Sequence, residues 1–500
     1  MSFQLPRRIA QKIQRAATRA RGSELKLQGE VDGYLREYLK AFGIDYDPEV
    51  NKHLQISDYS TRGRPDSLFG HVILDYKAPG VLKTTAGLRK AKEQVVDDYL
   101  NPACSRSGTF DPEEAEKWAG VLLDGRTVTF VTFNGVDEWD WSPVRDVNEF
   151  TVATLLQYYR ALYRKPLDPR SLSTDFGRDT DVAKRCIKIF ARYLEHPSSR
   201  TTMLFKEWKR MFEQVSTYEL DQLPSLEKWA KQLDISFHDD ASLLLYCLQT
   251  YYALIVKLLA AELVTTSRSF GITSFFDRFA NASATRFKEK LERLENGDVF
   301  RDLGITNFLE GDFFLWYLRH YDAELEVALR AIIDVFRTYE PATPKLNPNR
   351  CKDLLKIFYG SVIDEQLRHD LGEYYTPDWL ADYTLDRAGY RGQINATVLD
   401  PACGSGTFLV LAIQRLIRTA RARHLSSVKI VDRVRNQIKG FDLNPLAVIS
   451  ARANYLLAIA EELSAYGGGI ELPVYLCDCI NVPRQKAVDA VRCLVYTLDY

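Results

Sequence analysis

The stretch "VLDPACGSGTFL", Val398 to Leu409, decides how the carboxyl-terminal part of the chain reads. Val398 and Leu399 end a buried strand and Thr407 opens a helix. "DPACGSG" is therefore the turn at the carboxyl end of a first strand, where doubly wound sheets bind their ligands. Gly404 and Gly406 let the backbone approach a ligand with no Cβ in the way. Asp400, its carboxylate at the strand end, suits a ligand bearing an ammonium group better than one bearing a pyrophosphate. A dinucleotide loop reads GxGxxG and a phosphate loop ends in Gly-Lys-Ser or Gly-Lys-Thr; this loop does neither.

Downstream, "IKGFDLNP" is a strand ending in Asp442, placed to accept from ribose hydroxyls, and "PVYLCDC" ends in Asp478, which can accept from an adenine amino group. The interval from Asp400 to Asp442 exceeds the roughly 20 residues of the dinucleotide fingerprint, because the basic segment "RLIRTARARHLSSVK" intervenes. Upstream, "GEYYTPDWLADYTL" predicts a helix with Thr376 as N-cap and Pro377 as its first residue. Cys403 has no histidine near it in sequence and reads as a small loop filler rather than a nucleophile.

In that order, "GEYYTP", "DPACGSGTF", "GFDLNP" and "LCDC" resemble the cofactor motifs of γ-class DNA adenine-N6 methyltransferases, over about Cys351 to Val482. The resemblance implies S-adenosyl-L-methionine as cofactor. Thr376 and Pro377 would flank its methionine moiety, and Asp400, Ala402, Gly404 and Gly406 would contact it. Asp442 would hold the ribose and Asp478 would read the adenine, with Thr407 and Leu443 completing the set. The family's next motif, an Asn-Pro-Pro followed by an aromatic, receives the flipped target adenine. No Asn-Pro-Pro occurs here: Asn444-Pro445 belongs to the ribose strand and Asn347-Pro348 to a linker. The expectation is a chain truncated before that motif, with target recognition supplied by a longer gene product or by a second polypeptide.

A second chemistry lies near the amino end, in "GRPDSLFGHVILDYKAPG", Gly63 to Gly80. Strand residues two apart point to one face, so Asp75 and Lys77 share a side and Tyr76 faces the other. Asp66 and Asp75 could share a Mg²⁺ ion, which takes oxygen ligands and keeps waters, while Lys77 positions the attacking water. The pattern resembles the PD-(D/E)xK nuclease core. Such nucleases often add a helical glutamate; the preceding helix carries Glu30 and Glu37, and Glu30 is the expected third metal ligand. Gln94 and Tyr99 are similar to the Gln-xxx-Tyr element of restriction nucleases, with one extra residue between them.

Five hundred residues, at about 100 to 200 per domain, predict about three domains. The fold class expected is multidomain α/β. Residues 1–170 form a PD-(D/E)xK-like nuclease domain, 171–350 an all-helical connector, and 351–500 the first part of a Rossmann-like methyltransferase sheet. In the first, "HVILDY", "AGVLLD" and "TVTFVTF" are strands, the last two joined by a turn at Asp124-Gly125. In the connector, "LLLYCLQTYYALIVKLLAAELV" is long enough to span a bilayer, but Gln249, Thr250, Lys257 and Glu262 make it a buried bundle helix. No membrane partner is expected.

The 66 basic and 67 acidic residues balance, so DNA must be bound by local patches. One candidate is the amino-terminal helix, with Arg7, Arg8, Lys12, Arg15, Arg19 and Arg21 and no acid in its first 22 residues. It reads as a solvated face, a transit peptide or a phosphate-contacting arm. Eight cysteines without a CxxC pair read as reduced thiols, which fits a prokaryotic cytoplasm. Nuclease, connector and methylase in one chain resemble type IIG restriction-modification enzymes and related phage-defence methylases. The expected function is Mg²⁺-dependent cleavage of double-stranded DNA combined with adenine-N6 methylation. One alternative keeps the methyltransferase and makes the nuclease-like domain degenerate and non-cleaving. Another is a non-catalytic cofactor-binding fragment that needs a partner polypeptide.

Overall fold

A computed structural model describes residues 4–40, 44–50, 55–56, 59–60, 65–106, 109–133, 138–162, 164–214, 224–235, 240–268, 274–340, 343, 353–371, 373, 375–463, 465–479, 486–488 and 491–493. The chain separates into two compact units. One is Met1–Ser171 with Thr265–Arg278 and Asp334–Lys352; the other is Leu172–Val264 with Phe279–Ile333 and Asp353–Tyr500. The domain boundary expected between residues 350 and 351 lies outside the described residues.

The first unit opens with two helices, α1 (Gln4–Ala20) and α2 (Glu24–Lys40). Ile9, Ile13 and Ala16 of α1 are buried, while Arg7, Arg8 and Arg15 are exposed, as the helical spacing requires. Strands β1 (Ser67–Phe69) and β2 (Val72–Tyr76) pair antiparallel. Helix α3 (Thr85–Glu93) then leads to β3 (Ala119–Leu123), which pairs parallel with β2, and β4 (Thr127–Phe133) returns antiparallel. The turn at Asp124-Gly125 is where the sequence puts it, and Gly125 has φ +75°. The Asp124 carboxylate accepts from the N–H groups of Arg126 and Thr127 in that turn, and from Gly80 and Leu82 in the loop after β2. It pins that loop to the sheet.

The central strands β2, β3 and β4 are covered on both faces. Val72, Leu74, Tyr76, Val121 and Phe130 join a core with α1, α2 and helix α4 (Glu149–Ala161). Ile73, Leu122 and Val131 join a second core with Ala91, Val95 and Tyr99. The alternation sends Tyr76 to one side, where its hydroxyl meets buried Asp32 at 2.9 Å, and Asp75 to the other.

In the second unit the apolar stretch is helix α5 (Ser242–Arg268), and it is buried. Gln249 Oε1 accepts from Trp208 Nε1 at 2.8 Å, and Thr250 Oγ1 from Trp316 Nε1 at 2.9 Å. Lys257 Nζ lies 2.5 Å from both Glu295 Oε2 and Asp312 Oδ2. Each of these polar side chains has at least one buried polar partner, as burial demands.

The carboxyl-terminal elements follow as α6 (Leu354–Val362), α7 (Asp378–Arg387), β5 (Val398–Asp400), α8 (Thr407–Ala422), α9 (Ser427–Gln437), β6 (Ile438–Asp442), α10 (Pro445–Ala458) and β7 (Val474–Leu476). The strands form a parallel sheet in the order β5-β6-β7. Helix α5 and the elements around this sheet touch within the unit. Tyr252 stacks on Phe358 and its hydroxyl meets Ser450 Oγ at 3.2 Å. Asn307 exchanges two hydrogen bonds with Leu472, and Arg452 ties β7 to the carbonyl groups of Phe308 and Glu310. One local expectation is corrected: Pro377, not Thr376, is the N-cap of α7, and the helix begins at Asp378. Proline's fixed φ serves the residue before the helix as well as the first within it.

Candidate functional site

Beyond the carboxyl ends of β5, β6 and β7 lies a cavity of about 400 Å³. The glycine loop forms its floor. Gly404 at φ +54° and Gly406 at φ +91° turn the backbone as side-chain-bearing residues rarely do. Gly404 N–H donates to Asp442 Oδ2 at 2.8 Å, and Asn444 N–H to Asp442 Oδ1 at 2.8 Å, so the β6 carboxylate bridges the two strand ends. Close packing beneath the loop depends on Gly440 in β6: a Cβ there would stand 2.6 Å from Leu409 Cδ1 and 3.1 Å from Cys403 Sγ. Cys403 is buried, and burial pushes its thiol up, in keeping with a filler and not a nucleophile.

Of the residues expected from sequence, Ala402, Gly404, Asp442, Leu443 and Asp478 line the cavity. Asp400 is not among the lining residues but precedes Pro401, which is; its Oδ1 accepts from Ala402 N–H, and its buried Oδ2 has no hydrogen-bond partner among the described residues. Gly406 and Thr407 do not line it; Gly406 is the N-cap of α8. Thr376 and Pro377 are also outside it, and the same "GEYYTP" motif contributes Glu373 and Tyr375 in their place. Nothing in the spacing of that motif singles these two out. Phe212 and Gln214 join the wall from the end of the helix Ser199–Glu213, and no local sequence pattern marks them.

The wall is acidic. Glu373, Asp442 and Asp478 line it, and among the described residues no lysine, arginine or histidine does. Burial pushes Glu373 up to about 7, with nearby Asp442 adding to the rise against the hydroxyl of Tyr359, which donates to it at 2.7 Å. Asp442 and Asp400 are likewise raised, first by burial. Crowded, desolvated carboxylates favour a cation and repel a phosphate. The orphaned Asp400 Oδ2 can accept from an ammonium group, and Asp442 keeps free lone pairs for hydroxyl groups. The cavity thus fits a cationic nucleoside such as S-adenosylmethionine.

The first unit gathers a second cluster. Ser67 pairs with Leu74 across β1 and β2, which sets Asp66 beside Asp75. Asp66 Oδ2 accepts from Tyr76 N–H at 2.7 Å, and Lys77 Nζ lies 2.6 Å from Asp75 Oδ2 and donates to Gln94 Oε1 at 3.1 Å. Burial pushes Asp75 up to about 7, Lys77 pulling it down and Asp66 pushing it further. Glu30 is not in this cluster: it pairs with Arg19 and Tyr34, and Glu37 pairs with Lys12. The helical glutamate that faces the acids is Glu24, whose Oε1 accepts from Ala78 N–H at 3.0 Å and whose charge raises both Asp66 and Asp75. Among the described residues no group of three or more acidic, histidine or cysteine side chains is set to hold a metal ion.

Several solved structures resemble the chain weakly. A DrdV–DNA complex matches with a TM-score of 0.34 and 14% identity, over 95% of this chain and 40% of that one. The type IIG restriction endonuclease BpuSI matches with a TM-score of 0.27 and 13% identity, over 89% of this chain and 41% of that one. In sequence, the adenine-specific methyltransferase PglX of Streptomyces coelicolor is 31% identical over 133 residues, which are 23% of this chain and 10% of that protein. The chain thus spans well under two thirds of these relatives. Residues 353–465, which carry the glycine loop and the β6 carboxylate, match the family model of N-6 DNA methylases.

Proposed function

We propose that the chain binds S-adenosylmethionine in the β5–β7 cavity and is part of a prokaryotic restriction-modification or phage-defence protein that methylates adenine N6 in DNA. The observation that carries this reading is the cavity itself, at the carboxyl ends of β5–β7 and walled by Glu373, Asp442 and Asp478, with no basic side chain among the described lining residues. The cofactor, when bound, supplies the methyl group. The chain's own residues hold it: Asp400 receives the ammonium group, Asp442 the ribose hydroxyls and Asp478 the adenine amino group, while Glu373 and Tyr375 close the methionine end. Isothermal titration of the chain is expected to give one S-adenosylmethionine site that Asp442→Ala abolishes. ATP binding in the same cavity, competing with the cofactor, would overturn the assignment.

The first unit is read as a DNA-cleaving partner to this chemistry. Asp66 and Asp75 would hold a Mg²⁺ ion, which would supply charge compensation at a phosphate. Lys77, held by Asp75 and Gln94, would orient a water. The contacts of Lys77 with Asp75 and Gln94, beside Asp66, support the reading. Mn²⁺ binding followed by electron paramagnetic resonance is expected to be lost in Asp75→Ala, and cleavage of plasmid DNA with it. Undiminished metal binding and cleavage in that variant would exclude this site.

A further inference from the structure

The basic segment between β5 and β6 builds a feature that cofactor binding does not use. Gln437 immediately precedes β6 and Ile394 lies ahead of β5. Both line an open cavity of about 770 Å³ at the amino ends of these strands, opposite the end that carries Asp400 and Asp442. Its wall carries Arg423, Lys429, Arg433 and Arg435 against one carboxylate, Asp432. Asp432 accepts from Tyr466 at 2.9 Å and lies 3.4 Å from Arg435, so it compensates one cation. Arg433 reaches only the neutral Asn395 Oδ1, at 3.2 Å, and Arg423 and Lys429 have no carboxylate partner among the described residues.

Helix dipoles account for part of this charge. Arg423 caps the carboxyl end of α8 and Arg435 lies in the last turn of α9, where cations are favoured. Lys429 sits in the first turn of α9, where the dipole disfavours it, and Arg433 has neither role. The buried Gln437, 7% exposed, has its Oε1 without a hydrogen-bond partner among the described residues. Uncompensated cations attract phosphate oxygens, and an orphaned amide oxygen needs a donor. The volume lies in the range of about 300 to 1,000 Å³ typical of small-molecule sites.

We propose that this cavity is a second ligand site, for a phosphate-bearing nucleotide unit. Lys429 and Arg433 pair with its phosphate oxygens, and Gln437 accepts from a sugar hydroxyl or base amino group. A free nucleotide and a nucleotide of a DNA strand offer the same chemistry, and the test separates them.

The full chain is titrated with ATP and, separately, with a short duplex DNA, beside the double variant Lys429→Glu/Arg433→Glu. The variant is expected to keep the wild-type melting temperature and to bind its ligand at least about tenfold more weakly, a loss of about 1.4 kcal/mol. Loss on ATP identifies a free nucleotide. Loss on the duplex alone, with the slope of log K against log salt reduced by about 0.9 per contact removed, identifies a strand. Should the charge reversal lower the melting temperature, Lys429→Gln/Arg433→Gln replaces it. The proposal is overturned if the wild-type chain binds neither probe, or if the variant binds both as the wild type does.

Discussion

Gln94 donates its side-chain amide to the hydroxyl of Tyr99 at 2.8 Å, although five positions separate them. An α-helix aligns residues four apart, and Gln94–Leu100 is instead a π-helix, whose wider turn aligns residues five apart. The residue that looks superfluous in the sequence is absorbed by this turn. Gln94 Oε1 is left free to accept from Lys77.

Gln94 should therefore matter through Lys77 and not through the fold. Gln94→Ala removes one hydrogen bond to a charged group, about 1.5 to 3 kcal/mol, so DNA cleavage is expected to fall about 10- to 100-fold. The melting temperature should barely change. Tyr99→Phe removes only the support of Gln94 and should have the smaller effect. A Gln94→Ala protein that cleaves at the wild-type rate would separate Lys77 from the chemistry.

The same cluster sets two glutamates against each other. Glu24, beside Asp66 and Asp75, is expected to influence metal binding, whereas Glu30 is engaged by Arg19 and Tyr34. Glu24→Gln should weaken Mn²⁺ binding by about tenfold, as the loss of an outer carboxylate does. Glu30→Gln should leave it unchanged. The reverse order would return the third acid to Glu30.

Why Glu30 is the glutamate the sequence points to, while Glu24 is the one beside the acids, is a matter of geometry. Helical spacing tells which residues share a face of α2, but not where along its length the end of β2 comes to lie. It lies level with the first turn, so Glu24 reaches Ala78. The motifs of the second unit are legible for the converse reason: Asp442, Leu443 and Asp478 are fixed to their strand ends by local sequence, and the sheet brings strand ends together. Glu373 and Tyr375 were legible as a motif but not as the residues that face the cavity. Phe212 and Gln214 arrive through tertiary packing alone, and no local pattern marks them.

Lys257 offers a test of the connector's core. It is fully buried between Glu295 and Asp312, with Tyr317 donating to Glu295 at 2.7 Å. Lys257→Met leaves two buried carboxylates facing each other. Breaking such a network costs about 3 to 5 kcal/mol, which should lower the denaturation midpoint clearly. Lys257→Met/Glu295→Gln/Asp312→Asn, without charges, should recover much of the loss. Equal stability of the single and triple variants would mean that charge burial is not what the lysine relieves.

Glu373 makes a prediction about pH. Its carboxyl is raised, chiefly by burial, from 4.5 to about 7. Between those values the folded chain holds a proton that the unfolded chain has released, so the ligand-free fold loses stability as pH rises through this window. A cationic ligand reverses the preference, because it favours the ionised carboxylate. S-adenosylmethionine binding should therefore release a proton below about pH 7, and affinity should rise with pH, by at most about tenfold per unit for one proton, before levelling above that value. Calorimetry in buffers of differing ionisation heat reads the proton directly. Glu373→Gln should remove both the proton release and the slope while leaving the glycine loop intact. If the slope persists in that variant, the titrating group is another of the crowded carboxylates, with Asp442 the next to replace.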